Sequence, residues 1–165
     1  EQFRRTLLIQ KQTAPNLRSD LAEMRAKIAQ AKSPDGPWDA KIGVGRLQDA
    51  ELICQAAALR SGSPARETVD QLAAGVAHGW LNAADASAVA DAAGLFWRLQ
   101  AVSRLLTGGP LDPDALGQGG RDLVLREAGF ATLDDLAAAI ETVAQRADAV
   151  ITARLAQEGL RDAAN

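Results

Sequence analysis

Leu133-Asp-Asp-Leu136-Ala-Ala-Ala-Ile140-Glu-Thr-Val143-Ala-Gln-Arg-Ala147-Asp-Ala-Val150-Ile-Thr-Ala-Arg154 is the stretch that decides the fold class. Its apolar positions, Leu133, Leu136, Ile140, Val143, Ala147 and Val150, recur at alternating steps of three and four residues up to Arg154. That spacing puts one apolar stripe along an α-helix, regular enough to resemble a coiled-coil seam. Thr132, with Asp135 three residues later, reads as a capping box in which Asp replaces the usual Glu or Gln. About 26 residues rising about 1.5 Å each make a rod of roughly 39 Å. A stripe of that length needs other helices against it.

The rest of the chain supplies them. Phe3, Leu7, Leu8 and Lys11 have helical spacing as far as Pro15, and Asn16 can cap a helix through Leu17, Leu21, Met24, Ile28 and Ala31. Ser33-Pro-Asp-Gly-Pro37 breaks it, because two prolines and a glycine cannot continue a helix. Residues 38–46 read as the one extended or turning segment. Leu47 to Leu59 then form a helix that ends near Ser61-Gly62. Ser63-Pro64 is expected to open the next, which Gly79 stops. Asn82 with Asp85 caps a long helix through Val89, Ala93, Phe96, Leu99, Val102 and Leu106, halted by Gly108-Gly109-Pro110. Asp112-Pro113 is expected to restart helix as far as Ala128. The expected architecture is all-α, an up-and-down helical bundle with short loops. Residues 1–37 are read as an N-terminal helical arm and 38–165 as the bundle domain, fraying near 162–165.

Composition agrees and removes several function classes. The apolar content is mostly Ala and Leu, with no Tyr, three Phe and three Trp, which favours helix over sheet. The single Cys54 allows no internal disulfide and suits a reducing, cytoplasmic setting. No run approaches the roughly 18 apolar residues that span a membrane. A net charge of −3 gives no global attraction to nucleic acid. The chain opens at Glu1 rather than Met and runs at once into helix-like residues, which reads as a piece of a longer protein.

Chemistry-bearing residues are sparse. His78 is the only histidine, so a histidine-dependent triad or a multi-histidine metal site is excluded; before Gly79 it suits a helix C-terminus. Cys54 lies on an Ala-rich face and reads as an inert buried thiol. Asp112-Pro113-Asp114 reads as a helix start rather than a metal-binding pair. Gly117-Gln-Gly-Gly120 follows no strand and precedes no Lys-Ser or Lys-Thr, so it is a connector or broken helix rather than a phosphate loop. Arg4-Arg5 reads as a solvated face.

One segment is denser: Asp39-Ala-Lys-Ile-Gly-Val-Gly-Arg-Leu-Gln-Asp-Ala-Glu-Leu-Ile-Cys-Gln55. Gly43 and Gly45 permit positive φ and can turn backbone N–H groups one way, a geometry able to hold an anion beside Lys41 and Arg46. Asp49 and Glu51 fall in the first turn of the following helix, where carboxylates meet the positive dipole end. The plainer reading is a glycine turn with an ordinary acidic helix start. Both stay open at this level.

The same segment resembles the bifunctional glutamine synthetase adenylyltransferase and adenylyl-removing enzymes of bacteria. Their pattern, Asp-x-Lys-x-Gly-x-Gly-Gly-Ile-x-Asp-Ile-Glu-Phe-x-x-Gln, stands in register with Asp39, Lys41, Gly43, Gly45, Leu47, Asp49, Glu51, Leu52 and Gln55. Upstream, Met24-Arg25-Ala26-Lys27 is similar to the family's Met-Arg-x-Lys helix. Arg46 replaces the family's second glycine. Gln48 stands where Arg is frequent, which is closer to the adenylylating half than to the removing half. The resemblance implies a carboxy-terminal helical domain of an enzyme that moves AMP from ATP, with Mg²⁺, to glutamine synthetase under control of the PII signal protein. It implies an interdomain or phosphate-facing turn at Lys41, Gly43, Gly45 and Arg46, organised by Asp39, Asp49, Glu51 and Gln55. The family's Gly-Ser and Asp-x-Asp metal signature is missing from the chain, so no catalytic residue, metal ligand or cofactor is expected within it. A neighbouring nucleotidyltransferase domain would supply them. One alternative is a helical interaction module unrelated to nucleotide transfer, pairing through the seam of the last helix; another is the related uridylyl-transferring enzyme, whose pattern is a cousin of this one, and against it speaks the missing His-Asp metal pattern in a chain with one His.

Overall fold

The computed structural model describes Thr6, Leu8 and residues 16–156. The helix expected through Phe3, Leu7, Leu8 and Lys11, the Arg4-Arg5 face and the fraying expected at 162–165 lie outside the described residues, Leu8 apart. Among them the chain forms α1 (Leu17–Ala31), α2 (Leu47–Ser61), α3 (Thr68–Ala77), α4 (Ala83–Leu106), α5 (Gln118–Ala128) and α6 (Leu133–Ala156), with no strand. The all-α bundle read from periodicity is the observed fold.

α4 is its centre. Asn82 caps it as expected: its side-chain oxygen accepts from the Asp85 N–H at 2.7 Å, and its amide donates back to the Asp85 carboxylate at 3.0 Å. α4 packs against α2, α3, α5 and α6, and buries Val89, Phe96 and Leu99 against Ile53 of α2, Val124 of α5 and Leu136 and Ile151 of α6. Much of the contact is made by alanines, with Ala50, Ala56, Ala57, Ala92 and Ala147 wholly buried. Small side chains let the helices approach closely. α3 comes close to α2 at Gly75, where a Cβ would lie 2.8 Å from the Ala57 Cβ. α1 lies on α6 and α2.

Three local expectations change. Asn16 makes no side-chain cap; its carbonyl accepts from the Asp20 N–H and the Ser19 hydroxyl instead. The helix expected at Ser63-Pro64 begins at Thr68, because the Ser63 hydroxyl turns the chain by accepting from the Ala65 N–H, and the Ala65 carbonyl is taken by the Gln71 side chain. The helix expected from Asp112-Pro113 begins at Gln118. Asp112 accepts from the Asp114 N–H, the Asp112 and Pro113 carbonyls accept from the Ala115 and Leu116 N–H groups in a short turn, and the Arg121 guanidinium also donates to the Pro113 and Leu116 carbonyls. In both places the side chain offers the backbone a turn that competes with helix.

The apolar stripe of α6 is wider than a two-helix seam. Leu136, Ile140, Ala144, Ala147 and Ile151 are buried, while Val143 and Val150 pack at its edges. The chain's own α1, α2, α4 and α5 cover this stripe.

Candidate functional site

The segment 39–49 folds into a knot of turns between α1, α2 and α6, and its hydrogen bonds follow from its acids. Asp39 is buried, and one carboxylate oxygen accepts from the N–H groups of Lys41 and Ile42, both at 2.9 Å. The other accepts from the Asp35 N–H at 3.1 Å. Arg46 reaches back to the Asp39 carbonyl. The carbonyls of Ala40 and Lys41 accept from the N–H groups of Leu47 and Gln48, stitching the turn to the first turn of α2.

Gly45 is fixed by contact with α6. Its φ is +68°, and a Cβ there would lie 1.9 Å from the Ala144 carbonyl oxygen and 3.0 Å from the Asp148 nitrogen. No other residue fits. Gly43, at φ +131°, leaves room for the Arg46 side chain, whose Cδ would be 2.9 Å from an added Cβ. The Gly45 N–H donates to Asp49 Oδ2 at 2.9 Å. So the N–H groups of Lys41, Ile42 and Gly45 face this chain's own carboxylates. The turn carries its anions within itself.

Asp49 is also the partner of Arg25. From the middle of α1, Arg25 donates to Asp49 Oδ2 through Nε at 2.9 Å and Nη2 at 2.7 Å. It also bonds the Asp148 carboxylate and, at 3.0 Å, the Thr152 hydroxyl of α6. One guanidinium thus joins α1, α2 and α6. Burial works to lower its pKa, and the hydrogen bonds and charges of Asp49 and Asp148 outweigh that, leaving it raised. Arg46 goes the other way: burial lowers its pKa against the charges of Asp39 and Glu141.

The remaining expected residues lie apart from this knot. Lys41 contributes its backbone to the turn, and its side chain is half-buried. Glu51 and Gln55 are exposed on the outer face of α2, turned away from the knot. Glu51 lines a separate cleft with Trp97 of α4. His78 is the exposed C-cap of α3, and Cys54 is wholly buried, its thiol pushed up to about 12 by burial first and by the Glu51 charge second. A cleft of about 260 Å³ lies beside the knot, lined by Ile28, Lys32, Pro34, Ile42, Val44 and Gln48 among others. The Gln48 side-chain oxygen is buried there and accepts no hydrogen bond among the described residues. Among those residues no three His, Cys, Asp or Glu gather closely enough to hold a metal ion, and no helix is long and apolar enough to cross a membrane.

Asp148 and Thr152, the α6 side of the Arg25 junction, escape sequence reading because they are ordinary polar residues on a helix surface. Trp97 had a signal: it falls one residue off the Val89–Ala93–Phe96 stripe and so belongs to the outer face.

The geometry therefore unites the two parts of the sequence pattern, the Met24-Arg25-x-Lys27 helix and the Gly-x-Gly turn with its Asp49, in a single ion-paired junction. A family model described as GlnD PII-uridylyltransferase matches residues 18–155, which contain that whole junction. The chain belongs to this family.

Within the GlnD PII-uridylyltransferase family, its curated relatives bear the adenylyltransferase name. It is 34% identical to a bifunctional glutamine synthetase adenylyltransferase/adenylyl-removing enzyme of Rhizobium meliloti, over 84% of this chain and 15% of that protein. It is 33% identical to the enzyme of the same name from Rhodopseudomonas palustris, over 71% of this chain and 12% of the relative. The Agrobacterium fabrum protein of that name is 32% identical over 73% of this chain and 13% of its own length. The chain thus spans about one-seventh of the length of these relatives, 12% to 15%. No solved structure matches it.

Proposed function

We propose that this chain is the helical, non-catalytic domain of an enzyme that adenylylates and de-adenylylates glutamine synthetase, and that it packs on a nucleotidyltransferase domain of the same protein. ATP and Mg²⁺ act in that other domain, in the cytoplasm. The observation that carries the reading is the Arg25–Asp49 junction. It makes α1 and the glycine turn one body and leaves Met24 and Val44 exposed beside it. An exposed large apolar side chain lining a cleft, as Val44 does, is what a neighbouring domain would cover.

In this reading Lys41 and Arg46 are the cations nearest the catalytic neighbour, and Gly43 and Gly45 set the turn's path. Asp39 and Asp49 hold the turn from inside. Glu51 and Gln55 face outward, where glutamine synthetase or PII would dock. The chain's own carboxylates accept from the turn's N–H groups, so a phosphate at this edge would be met by side chains rather than by backbone.

The test uses the intact enzyme. Val44→Asp should lower AMP transfer to glutamine synthetase at least tenfold while the helical content stays unchanged; full activity would remove this face from the interdomain contact. Lys41→Ala should weaken ATP binding, and unchanged ATP affinity and turnover would remove Lys41 from the site. Transfer of AMP by the isolated chain would overturn the non-catalytic assignment.

A further inference from the structure

A second surface shares Glu51 with the outward face assigned to docking above, and the reading below rests on that assignment while naming the chemistry of the partner. Along α4, Ala90, Ala93, Gly94 and Trp97 follow one another at helical spacing and form one side of a cleft of about 480 Å³ between α4, α2 and the start of α3. Small residues make its floor, and Trp97 makes a wall. Trp97 is 62% exposed, and Val69, on the α3 side, is 67% exposed. These are large apolar groups left uncovered by a fold that otherwise fills its α6 stripe. Glu51 of α2 and Glu67 ahead of α3 stand in the same cleft. Among the described residues Arg98 is the one cation lining it, and it lies back along α4, its Nη1 3.5 Å from where a Gly94 Cβ would be. Glu51 is also the acid of the Asp-x-Glu pattern that the glycine turn does not use.

An aromatic face flanked by two carboxylates is complementary to a cation on an apolar stem. The ring's negative face attracts the cation, the carboxylates neutralise it, and the stem covers the ring. The small floor leaves room for a helix to lie along α4. We propose that this cleft binds a helical segment of a partner protein through an Arg or Lys side chain. The stem lies on Trp97, and the cation lies between Glu51 and Glu67.

The experiment uses the full chain and a synthetic 18-residue helical peptide of Leu, Ala and Arg, compared with the same peptide carrying citrulline for Arg. Binding is followed by tryptophan emission, with Trp97→Phe identifying the responding ring and circular dichroism checking the fold of each variant. The expected result is a Trp97 emission change with the Arg peptide only. Affinity falls at least tenfold in the Glu51→Gln/Glu67→Gln double variant and changes less than twofold in Asp114→Asn/Asp134→Asn, which loses the same charge elsewhere. Equal binding of the citrulline peptide would overturn the proposal, as would equal weakening by the two double variants, or no binding at all. Self-association of the chain that disappears in Trp97→Ser would also overturn it, by making a second copy the occupant.

Discussion

Gly45 lies against the Ala144 carbonyl so closely that a methyl group in its place would sit 1.9 Å from the oxygen. The glycine turn is therefore positioned by α6, a helix about a hundred residues later in the chain. Gly45→Ala must push α6 away and strain a φ of +68°, and should cost about 2–4 kcal/mol in chemical denaturation. Gly79→Ala is the control. Its φ is +77° with open space around it, so it should cost only about 1–2 kcal/mol.

Arg25→Met removes the shared partner of Asp49 and Asp148. The Arg25 and Asp49 side chains are only 17% and 12% exposed, so Asp49 is left with little water to compensate. The expected loss is about 2–3 kcal/mol. Arg25→Lys should recover little of it, since one ammonium cannot reproduce bonds made from three guanidinium nitrogens. A double-mutant cycle with Asp49→Asn should give a coupling of about 1–3 kcal/mol; additive losses would show that the two residues act independently.

How much of this was readable beforehand depends on the range of the interaction. Asn82 with Asp85, and Thr132 with Asp135, are local devices three residues apart, and both form the hydrogen bonds their spacing suggests. Ser63-Pro64 and Asp112-Pro113 show the same residue types before proline, yet there the side chains close turns and the helices start later. The deciding partners, Gln71 and Arg121, lie on the next helix. The glycine turn was legible as a turn. That Gly45 is required by α6 was not, because nothing near Gly45 names Ala144 as its neighbour.

Gly75 and Ala57 offer a reciprocal test of the alanine-rich packing. Gly75→Ala gains helix propensity of about 1 kcal/mol but places a Cβ 2.8 Å from that of Ala57, and overpacking costs about 1–3 kcal/mol. The single variant should be destabilised, and adding Ala57→Gly should restore thermal stability. Failure of the second change to rescue the first would place the strain elsewhere.

Cys54 gives the pH dependence. Burial pushes its thiol up to about 12, above the ordinary range of a free thiol, so the folded state holds the proton more tightly than the unfolded chain. Its contribution to stability is complete below about pH 9 and is lost as the pH rises towards 12. Native protein should resist a thiol reagent at pH 8 and react only on unfolding; Cys54→Ala should flatten the alkaline fall in stability. Rapid labelling of native protein would show that the thiol is accessible.

Three points of attachment meet in the Arg25 guanidinium, and they lie on two different helices, beside the middle of α1 rather than at its end. A pivot of α1 would break all of them together, so α1 cannot behave as a loose tether. α1 is instead clamped to α2 and α6 from its middle, so the three helices shift as one piece and any separation of α1 from α6 must first break the Arg25 bonds.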